Sequence, residues 1–329
     1  MTITADSSVL LEVRDLEKSF VRSRDLLGRP REQVRAVREV DLTLRAGETL
    51  GIVGESGSGK STLGRCILGL DTPEKGEVVF QGENLMTLSR RALRRRRRDL
   101  QMIFQDPYAS LDPTKTVGHA IAEPMRIFER TPRHEAEARV ATLLTKVGLR
   151  TEFAHRYPGE MSGGQRQRVA IARALALDPK VIVADEAVSA LDVSTQSEVI
   201  NLLVHLSAEF DLTCLFISHN LSVVRHVSDR IAVMYLGRIV EIGSAEEVYE
   251  RPTHPYTRAL LSAIPVPDPA IQRARPKTIL EGDVPDPAHP PAGCAFSSRC
   301  PLAQPVCRTE QPALLPRANG TLSACHFAL

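Results

Sequence analysis

The sequence predicts an α/β fold in which helices flank a largely parallel sheet. Between Leu10 and about Tyr249, short β-branched runs alternate with segments of helical periodicity, and this alternation is typical of parallel strands that are joined by helices. Three of the apolar runs are continuous, which indicates central strands that are buried on both faces. They are Thr49–Val53, Val181–Ala184 and Leu212–Ile217.

Two helices are predicted from the spacing of their apolar residues. In each, apolar residues recur at positions i, i+3, i+4 and i+7, which places them on one face of a helix. Gly148 follows the first set and predicts the end of that helix. The two sets are Val140, Leu143, Leu144 and Val147, and Val199, Leu202, Leu203 and Leu206.

Length, composition and charge argue against a membrane-spanning, a secreted and a nucleic-acid-binding protein. The chain of 329 residues can hold two domains, and no apolar run approaches the roughly 20 residues that cross a bilayer. The N-terminus lacks a basic-then-apolar signal pattern, so we expect a cytosolic protein. The net charge of +2 gives no general argument for nucleic-acid binding. The basic run Arg94–Arg98 predicts a solvated helix face near the membrane that meets anionic lipid headgroups weakly. Nucleic-acid binding is not favoured, because the run has no interleaved aromatic residues.

The composition changes near Arg251, where a proline-rich segment begins. Proline lacks a backbone N–H and fixes φ, so we expect a loop-rich module there rather than long regular elements. The predicted domains are therefore 1–250 and 251–329. A shorter charged interruption between Arg22 and Arg35, which contains Gly28 and Pro30, predicts an exposed loop.

The strand Thr49–Val53 leads into a phosphate-binding loop, Gly54–Ser61. The loop matches the pattern G-x-x-x-x-G-K-[ST], whose glycines let backbone N–H groups converge on phosphate oxygens at a helix N-terminus. Lys60 is predicted to pair with the β and γ phosphates, and Ser61 to offer its hydroxyl to Mg²⁺. The predicted ATP-binding residues here are Gly54, Ser56, Gly57, Gly59, Lys60, Ser61 and Thr62.

Two carboxylates and a second glycine-rich turn extend the predicted site. Asp185 ends an apolar strand, the position from which a carboxylate reaches the metal ion in phosphate-loop enzymes. Glu186 follows it and is predicted to act as the general base. The turn Met161–Gln165 opens another helix and predicts a second phosphate contact. One nucleotide rarely uses two such helix ends of one subunit, so we expect a partner subunit to complete the site.

These motifs resemble, in their order, the ATP-binding cassette family of P-loop ATPases. The order is the phosphate loop, Gln105 after an apolar strand, Met161–Gln165, Val181–Glu186, Ser189–Asp192 and His219. The resemblance implies a RecA-like parallel sheet core with a helical subdomain at about 106–165. It also implies that ATP and Mg²⁺ bind and that hydrolysis depends on closure of a head-to-tail dimer.

Carried over residue by residue, the resemblance implies further roles. Gln105 senses Mg²⁺ and the attacking water, His219 contacts the γ phosphate, and Asp192 links the two sites of the dimer. Phe20 lies where the family has an adenine-stacking aromatic residue, with a core phenylalanine that closes a strand as the alternative. The residues implied to contact ATP on the opposite subunit are Ser162, Gly163, Gly164 and Gln165, and the Mg²⁺ set is Ser61, Gln105 and Asp185.

Two positions depart from the family pattern. Met161 replaces the commoner leucine, a volume-conserving change of little consequence. Ala187 stands where proline usually follows the glutamate, which removes a constraint on the turn that aims Glu186. We therefore expect hydrolysis to persist at a lower rate.

Three segments are similar to those of dipeptide and oligopeptide importers: Gln105–Pro113, Ala187–Ser194 and Arg251–Thr257. The resemblance implies an energy-coupling ATPase at the cytoplasmic face of the membrane. Its implied partners are a second ATPase cassette, two membrane-spanning permease subunits and an extracytoplasmic substrate-binding protein, with no nucleic acid. The ATPases of nickel and glutathione importers look similar and are the alternative, together with a soluble cassette ATPase that acts on ribosomes or DNA.

The cysteines fall into two groups. Cys66 and Cys214 lie singly in apolar surroundings and are expected to be small buried hydrophobic residues. Four more crowd into the last segment, where thiolates can hold zinc or an iron–sulfur cluster or stay unligated, and a reducing cytosol disfavours disulfides. The close cysteine pairs usual in zinc sites are missing, and the resemblance to peptide-importer ATPases implies a structural [4Fe-4S] cluster. The four are Cys294, Cys300, Cys307 and Cys325.

Overall fold

The computed structural model describes residues 9–24, 30–106, 110–265, 273 and 282–328. The chain divides into two compact units. The first comprises the residues up to Leu10, Leu44–Thr49 and Asn84–Ile217; the second comprises Leu11–Thr43, Leu50–Glu83 and Ser218–Leu329. Gly28 of the predicted charged loop and Pro107, Tyr108 and Ala109 of the predicted glutamine loop lie outside the described residues.

Strands and helices alternate along most of the described chain. The strands are β1 (Val9–Arg24), β2 (Pro30–Arg45), β3 (Thr49–Val53), β4 (Lys75–Phe80), β5 (Glu83–Asn84), β6 (Leu100–Ile103), β7 (Val181–Asp185), β8 (Thr213–Ser218), β9 (Arg230–Tyr235), β10 (Arg238–Ser244), β11 (Leu315–Pro316) and β12 (Leu322–Ser323). The helices are α1 (Lys60–Ile67), α2 (Arg90–Arg96), α3 (Val117–Phe128), α4 (Arg133–Lys146), α5 (Gly163–Leu175), α6 (Val193–Phe210), α7 (Leu221–Val227), α8 (Ala245–Glu250), α9 (Pro255–Ser262) and α10 (Pro305–Thr309).

The first unit contains parallel strands and the longer helices. Strand β7 pairs in parallel with β6 on one side and β8 on the other. Every residue of β7 and β8 is buried, which confirms the prediction of central strands. Helix α4 confirms its predicted apolar face, and α6 confirms the predicted helix with Leu202 and Leu203 only half-buried. Gly148 follows the end of α4 with a φ of 72° that favours glycine.

The second unit contains two sheets. Strand β3 pairs in parallel with β9, and β10 continues the sheet antiparallel to β9. The short strands β12 and β11 extend this sheet beyond β10. In the other sheet β1 lies between β2 and β4 and pairs antiparallel with β4.

The prediction of an exposed loop between Arg22 and Arg35 is wrong for the described residues of this segment. Strand β1 continues to Arg24, and β2 begins at Pro30. An antiparallel sheet can have one face in solvent, and the strands then carry polar residues on that face. The charged residues of this segment are therefore compatible with strands. The charged residues and the glycine of this segment therefore predicted a loop where the described residues belong to β1 and β2.

The C-terminal tail, residues 251–329, is anchored on strand β10 by a buried carboxylate. Glu241 is 0% exposed, and its Oε1 accepts hydrogen bonds from the backbone N–H (2.6 Å) and the hydroxyl (2.6 Å) of Thr253. Its Oε2 accepts from the backbone N–H of His254 at 3.1 Å. In the described part of the tail, regular elements are short, as the prolines predict. The domain boundary at residue 250 stays a prediction.

Within the described ranges, no helix combines the length and apolar character that a membrane span requires. The predicted basic run lies at the end of α2, where Arg94 and Arg95 are exposed. Arg98, just beyond the helix, forms an ion pair of 2.7 Å with Glu129. Contact of this helix with lipid headgroups stays a prediction.

Replacing Glu241 should release the tail. In Glu241→Ala the donors of Thr253 and His254 lose their acceptor in a buried position, which we expect to lower the free energy of unfolding by about 3 to 5 kcal/mol. Urea denaturation, followed by circular dichroism, measures the change, and limited proteolysis should cut the tail first.

The matched control is Glu310→Ala, which removes an exposed carboxylate from the same tail and should change the free energy of unfolding by at most about 0.5 kcal/mol. Equal losses in the two variants would contradict the anchoring role of Glu241.

Candidate functional site

The phosphate loop in the second unit is built around close backbone contacts. A Cβ atom at Gly54 would lie 2.1 Å from the backbone oxygen of Met234, and one at Gly59 would lie 2.0 Å from that of Ala36. Gly57 has a φ of 76° and no atom within 4 Å of its Cβ position. Gly54 and Gly59 are therefore required because a Cβ atom would not fit, and Gly57 is required because its backbone is left-handed.

Lys60 is folded into this loop. Its side chain is 4% exposed, and Nζ donates hydrogen bonds to the carbonyl oxygens of Gly54 (2.8 Å) and Glu55 (2.9 Å). Nζ also lies 3.4 Å from the hydroxyl of Ser58, a loop residue missing from the predicted set. The ammonium group is thus held beside the backbone that would carry phosphate. Ser56 is exposed, whereas Ser61 and Thr62 are half-buried in the first turn of α1.

Phe20 lies on strand β1 of the same unit with 42% of its surface exposed. The ammonium group of Lys18 lies 5.2 Å from the centre of its ring. The alternative of a core phenylalanine is therefore wrong, and an exposed aromatic face is available for stacking.

Two tail residues that sequence reasoning missed contact the phosphate loop. The hydroxyl of Tyr256 accepts the backbone N–H of Glu55 at 2.9 Å, and Arg299 binds the carboxylate of Glu55 through two hydrogen bonds of 2.8 Å and 3.2 Å. Desolvation acts to lower the pKa of Arg299, but the carboxylate of Glu55 and the hydroxyl of Tyr235 together raise it. No local pattern could have indicated these contacts, because the partners lie far apart in the chain.

The predicted general base and the predicted sensor meet in the first unit. Nε2 of Gln105 donates a hydrogen bond of 2.9 Å to Oε2 of Glu186. Asp185 at the end of β7 is 6% exposed, whereas Gln105 is exposed. The carboxylate that would accept a proton from water is therefore oriented by an amide.

Glu186 itself has an unusual backbone conformation. Its φ is 44°, a left-handed value that costs a non-glycine residue about 1 to 2 kcal/mol. The turn is held because Glu186 N–H donates to the carbonyl of Ile217 (2.9 Å) and the Glu186 carbonyl accepts from the N–H and hydroxyl of Ser189, both at 3.0 Å. Such strain is typical of functional positions. His219, in the second unit, is exposed directly after β8.

The turn Met161–Gln165 forms the N-terminus of α5. Ser162 is the N-cap, its hydroxyl accepts the N–H of Gln165 (3.3 Å), and the side-chain oxygen of Gln165 accepts the N–H of Ser162 (3.0 Å). This capping box closes the first turn of α5, in which Ser162 is exposed and Gly164 is buried. A Cβ at Gly164 would lie 2.3 Å from Cγ2 of Thr195, so this glycine also permits α5 to approach α6.

Asp192 is the N-cap of α6. Its carboxylate accepts from the hydroxyl of Ser194 (2.6 Å) and from the N–H (3.0 Å) and hydroxyl (2.8 Å) of Thr195. The hydrogen bond from Ser194 is the largest cause that lowers the pKa of Asp192. The predicted role in coupling two sites stays a prediction, and the local role is to start a helix.

The four tail cysteines line one small pocket together with Phe296, Leu302 and Phe327. Burial raises the pKa of Cys294 to about 11, and a backbone hydrogen bond from Phe296 acts in the opposite direction. Burial also raises the pKa of Cys300 and Cys325, and backbone hydrogen bonds from Leu302 and Phe327 act in the opposite direction. Such donors support thiolate ligands.

The same sulfur atoms do not form a ready zinc site. Within the described residues, no three of them lie within 4.8 Å of one another, whereas tetrahedral zinc needs sulfurs about 3.8 Å apart. The four cysteines therefore share a pocket without a preformed arrangement of their sulfur atoms, and the [4Fe-4S] cluster stays a prediction.

Three other side chains in the described ranges do approach one another within 4.8 Å: Glu32, Asp286 and His289. Arg22 binds Asp286 at 3.0 Å and 3.1 Å, so this exposed group is already paired with a cation. Cys66 and Cys214 are 0% and 7% exposed, and burial raises the pKa of each to about 12. Their prediction as buried small residues is confirmed.

Two family models match the chain. One described as ABC transporter covers residues 37–189, and one described as oligopeptide/dipeptide transporter, C-terminal region, covers residues 240–307. The chain is 49% identical over 324 residues to the oligopeptide transport ATP-binding protein AppF of Bacillus subtilis, covering 98% of each chain. It is 54% identical over 286 residues to the glutathione import ATP-binding protein GsiA of Pectobacterium atrosepticum, covering 87% of this chain and 46% of GsiA.

A solved dimeric ATP-binding cassette with bound ADP and phosphate has the same fold. It aligns with a TM-score of 0.64 and 32% identity, covering 71% of this chain and 98% of the other. The predicted α/β cassette fold is therefore confirmed. The similarity to AppF spans nearly the whole length and both matched regions. The chain belongs to the ABC transporter family, in its group of oligopeptide and dipeptide transport ATP-binding proteins.

Proposed function

We propose that this chain is the ATP-hydrolysing subunit that drives the import of dipeptides or oligopeptides. The observation that carries the proposal is 49% identity to AppF over 98% of both chains, which includes the tail as well as the cassette. A cassette supplies energy, whereas a channel and a binding protein select the cargo. We assign the channel to partner subunits, because AppF is named as the ATP-binding protein of a transporter.

Hydrolysis is assigned to Glu186, which accepts a proton from the water that attacks the γ phosphate. Gln105 holds the carboxylate through its amide N–H at 2.9 Å, and His219 is assigned the contact with the γ phosphate. Lys60 pairs with phosphate charge, and Phe20 stacks on adenine through its exposed ring.

The residues predicted for Mg²⁺ fit that ion. The hydroxyl of Ser61, the amide oxygen of Gln105 and the carboxylate of Asp185 are oxygen donors, which Mg²⁺ prefers. Nε2 of Gln105 is engaged by Glu186, so its amide oxygen is the atom that faces away from this bond. Bound Mg²⁺ neutralises charge on the phosphates.

A second cassette is proposed to complete each ATP site. The capped N-terminus of α5, from Ser162 to Gln165, would meet the γ phosphate held by the partner's phosphate loop. ATP would then favour a closed dimer through contacts that exist only in that state, and hydrolysis would release it. In the proposed importer this chain lies at the cytoplasmic face of the membrane. Two membrane-spanning permease subunits and an extracytoplasmic substrate-binding protein complete it.

Glutathione import is the second candidate. It is favoured by the 54% identity to GsiA, although the chain covers 46% of that protein. Since glutathione is itself a small peptide, the same cassette chemistry would serve either cargo.

For the tail pocket we propose a [4Fe-4S] cluster held by Cys294, Cys300, Cys307 and Cys325. Its support is the convergence of the four cysteines on one pocket and the backbone hydrogen bonds that act to lower the pKa of three of them. The cluster would stabilise a tail whose regular elements are short.

The cargo proposal is tested by purifying the chain with its co-expressed permease subunits, partner cassette and binding protein in lipid nanodiscs. We expect di- and oligopeptides to raise the ATPase rate of this complex, and nickel to leave it unchanged. Stimulation by glutathione alone would replace peptide import with the second candidate. A chain that purifies without any membrane subunit would contradict both.

The catalytic assignment is tested with Glu186→Gln in the same complex. The amide keeps the size of the side chain but removes the base, so we expect turnover to fall by about 100-fold or more while the Kd for ATP changes little. Glu209→Gln is the control, because Glu209 lies on α6, away from the predicted base in sequence, and pairs with Lys146 of α4. Retained hydrolysis in Glu186→Gln would move the base elsewhere.

The metal assignment is tested on anaerobically purified protein by metal analysis and visible absorbance. We expect about four iron atoms per chain, and loss of iron and colour in Cys300→Ala. The control, Cys66→Ala, should keep both. About one zinc per chain, or four titratable free thiols with no metal, would contradict the cluster.

A further inference from the structure

Glu55, the second residue of the phosphate loop, has three polar groups that are each bonded by another residue. Its backbone N–H donates to the hydroxyl of Tyr256 (2.9 Å), and its carbonyl accepts from Nζ of Lys60 (2.9 Å). Its carboxylate accepts from Nη1 (2.8 Å) and Nη2 (3.2 Å) of Arg299. The tail and the phosphate-binding lysine therefore meet at one loop residue.

Both tail residues are held firmly. The side chain of Arg299 is 8% exposed, and its two bonds to one carboxylate have the paired geometry that is strongest for arginine. Tyr256 is fully buried, and its ring centre lies 4.6 Å from that of Tyr235 and 5.4 Å from that of Phe296. The donor and acceptor that face Glu55 thus have fixed positions.

These contacts bear on phosphate binding in two ways. The loop binds phosphate through backbone N–H groups, whose directions depend on the path of the chain from Gly54 onward. Tyr256 and Arg299 fix that path at Glu55. The carboxylate of Glu55 would also repel a triphosphate, and Arg299 neutralises it at hydrogen-bond distance.

We infer that Arg299 and Tyr256 are positioning residues that hold the phosphate loop in its ATP-binding shape, so that the tail sets the affinity of the cassette for ATP. Neither residue belongs to the phosphate-loop motif. The inference rests on ATP binding by the loop and holds whichever cargo is imported.

The test measures the Kd for MgATP by calorimetry on the full chain, and kcat and KM for ATP in the assembled complex. In Arg299→Ala we expect the Kd and KM to rise about tenfold, equivalent to about 1.4 kcal/mol. We expect kcat at saturating ATP to stay within about twofold, because Arg299 is not assigned to the reacting atoms. Arg299→Lys should recover part of the affinity, since lysine keeps the charge without the paired geometry.

A double-mutant cycle shows whether Arg299 acts through Glu55. With Glu55→Gln the charge to be neutralised is gone, so adding Arg299→Ala should weaken ATP binding far less than it does in the wild-type background. The matched control is Arg317→Ala. Arg317 is another tail arginine, which donates to the carbonyls of Ser323 (2.8 Å) and Cys325 (2.6 Å). It should lower the thermal stability while leaving the Kd for MgATP within about twofold.

An unchanged Kd in Arg299→Ala would overturn the inference, and so would equal weakening in Arg299→Ala and Arg317→Ala, which would make the tail a general stabilising element. If Arg299→Ala does not fold, Tyr256→Phe decides, because it removes only the hydroxyl. We expect its Kd to rise about three- to fivefold, and an unchanged value would overturn the inference. Failure of the wild-type chain to bind MgATP would instead refute the ATPase assignment.

Discussion

The phosphate loop depends on two backbone contacts that only glycine permits. Gly54 lies against the carbonyl of Met234 and Gly59 against that of Ala36, and in both places a Cβ atom would come within about 2 Å of the oxygen. The loop is therefore pressed onto strands β9 and β2 of its own unit. These two contacts fix the backbone of the loop, and within it the carbonyl oxygens of Gly54 and Glu55 accept hydrogen bonds from Nζ of Lys60.

The sequence was informative wherever burial leaves an apolar pattern. Strand β3 has the predicted bounds, β7 ends one residue later than predicted, and β8 begins and ends one residue later than predicted. The agreement is close because strands buried on both faces must be continuously apolar. The same reasoning failed between Arg22 and Arg35. There β1 and β2 carry charge on a solvated face, and charge alone does not separate a loop from such a strand.

The site could be predicted in its parts but not in its contacts. The motif order identified Gln105 and Glu186 separately, and it gave no indication of the hydrogen bond between them. Local patterns did not reveal that Glu186 has a left-handed backbone or that Asp192 caps α6. The spacing of Ser162 and Gln165 matches the capping-box pattern, which the structure contains. The same short motif therefore starts α5 and carries the proposed phosphate contact.

The contact between Glu55 and Arg299 also has a consequence for biosynthesis. Ribosomes deliver a chain from its N-terminus, and early segments begin to fold before later ones exist. The phosphate loop is made early, but the guanidinium that binds its carboxylate and the phenol that binds its backbone arrive with the last part of the chain. A nascent chain that has not reached Tyr256 carries the whole phosphate-loop motif without these supports, so the proposed shape of the loop can form only after the tail is made.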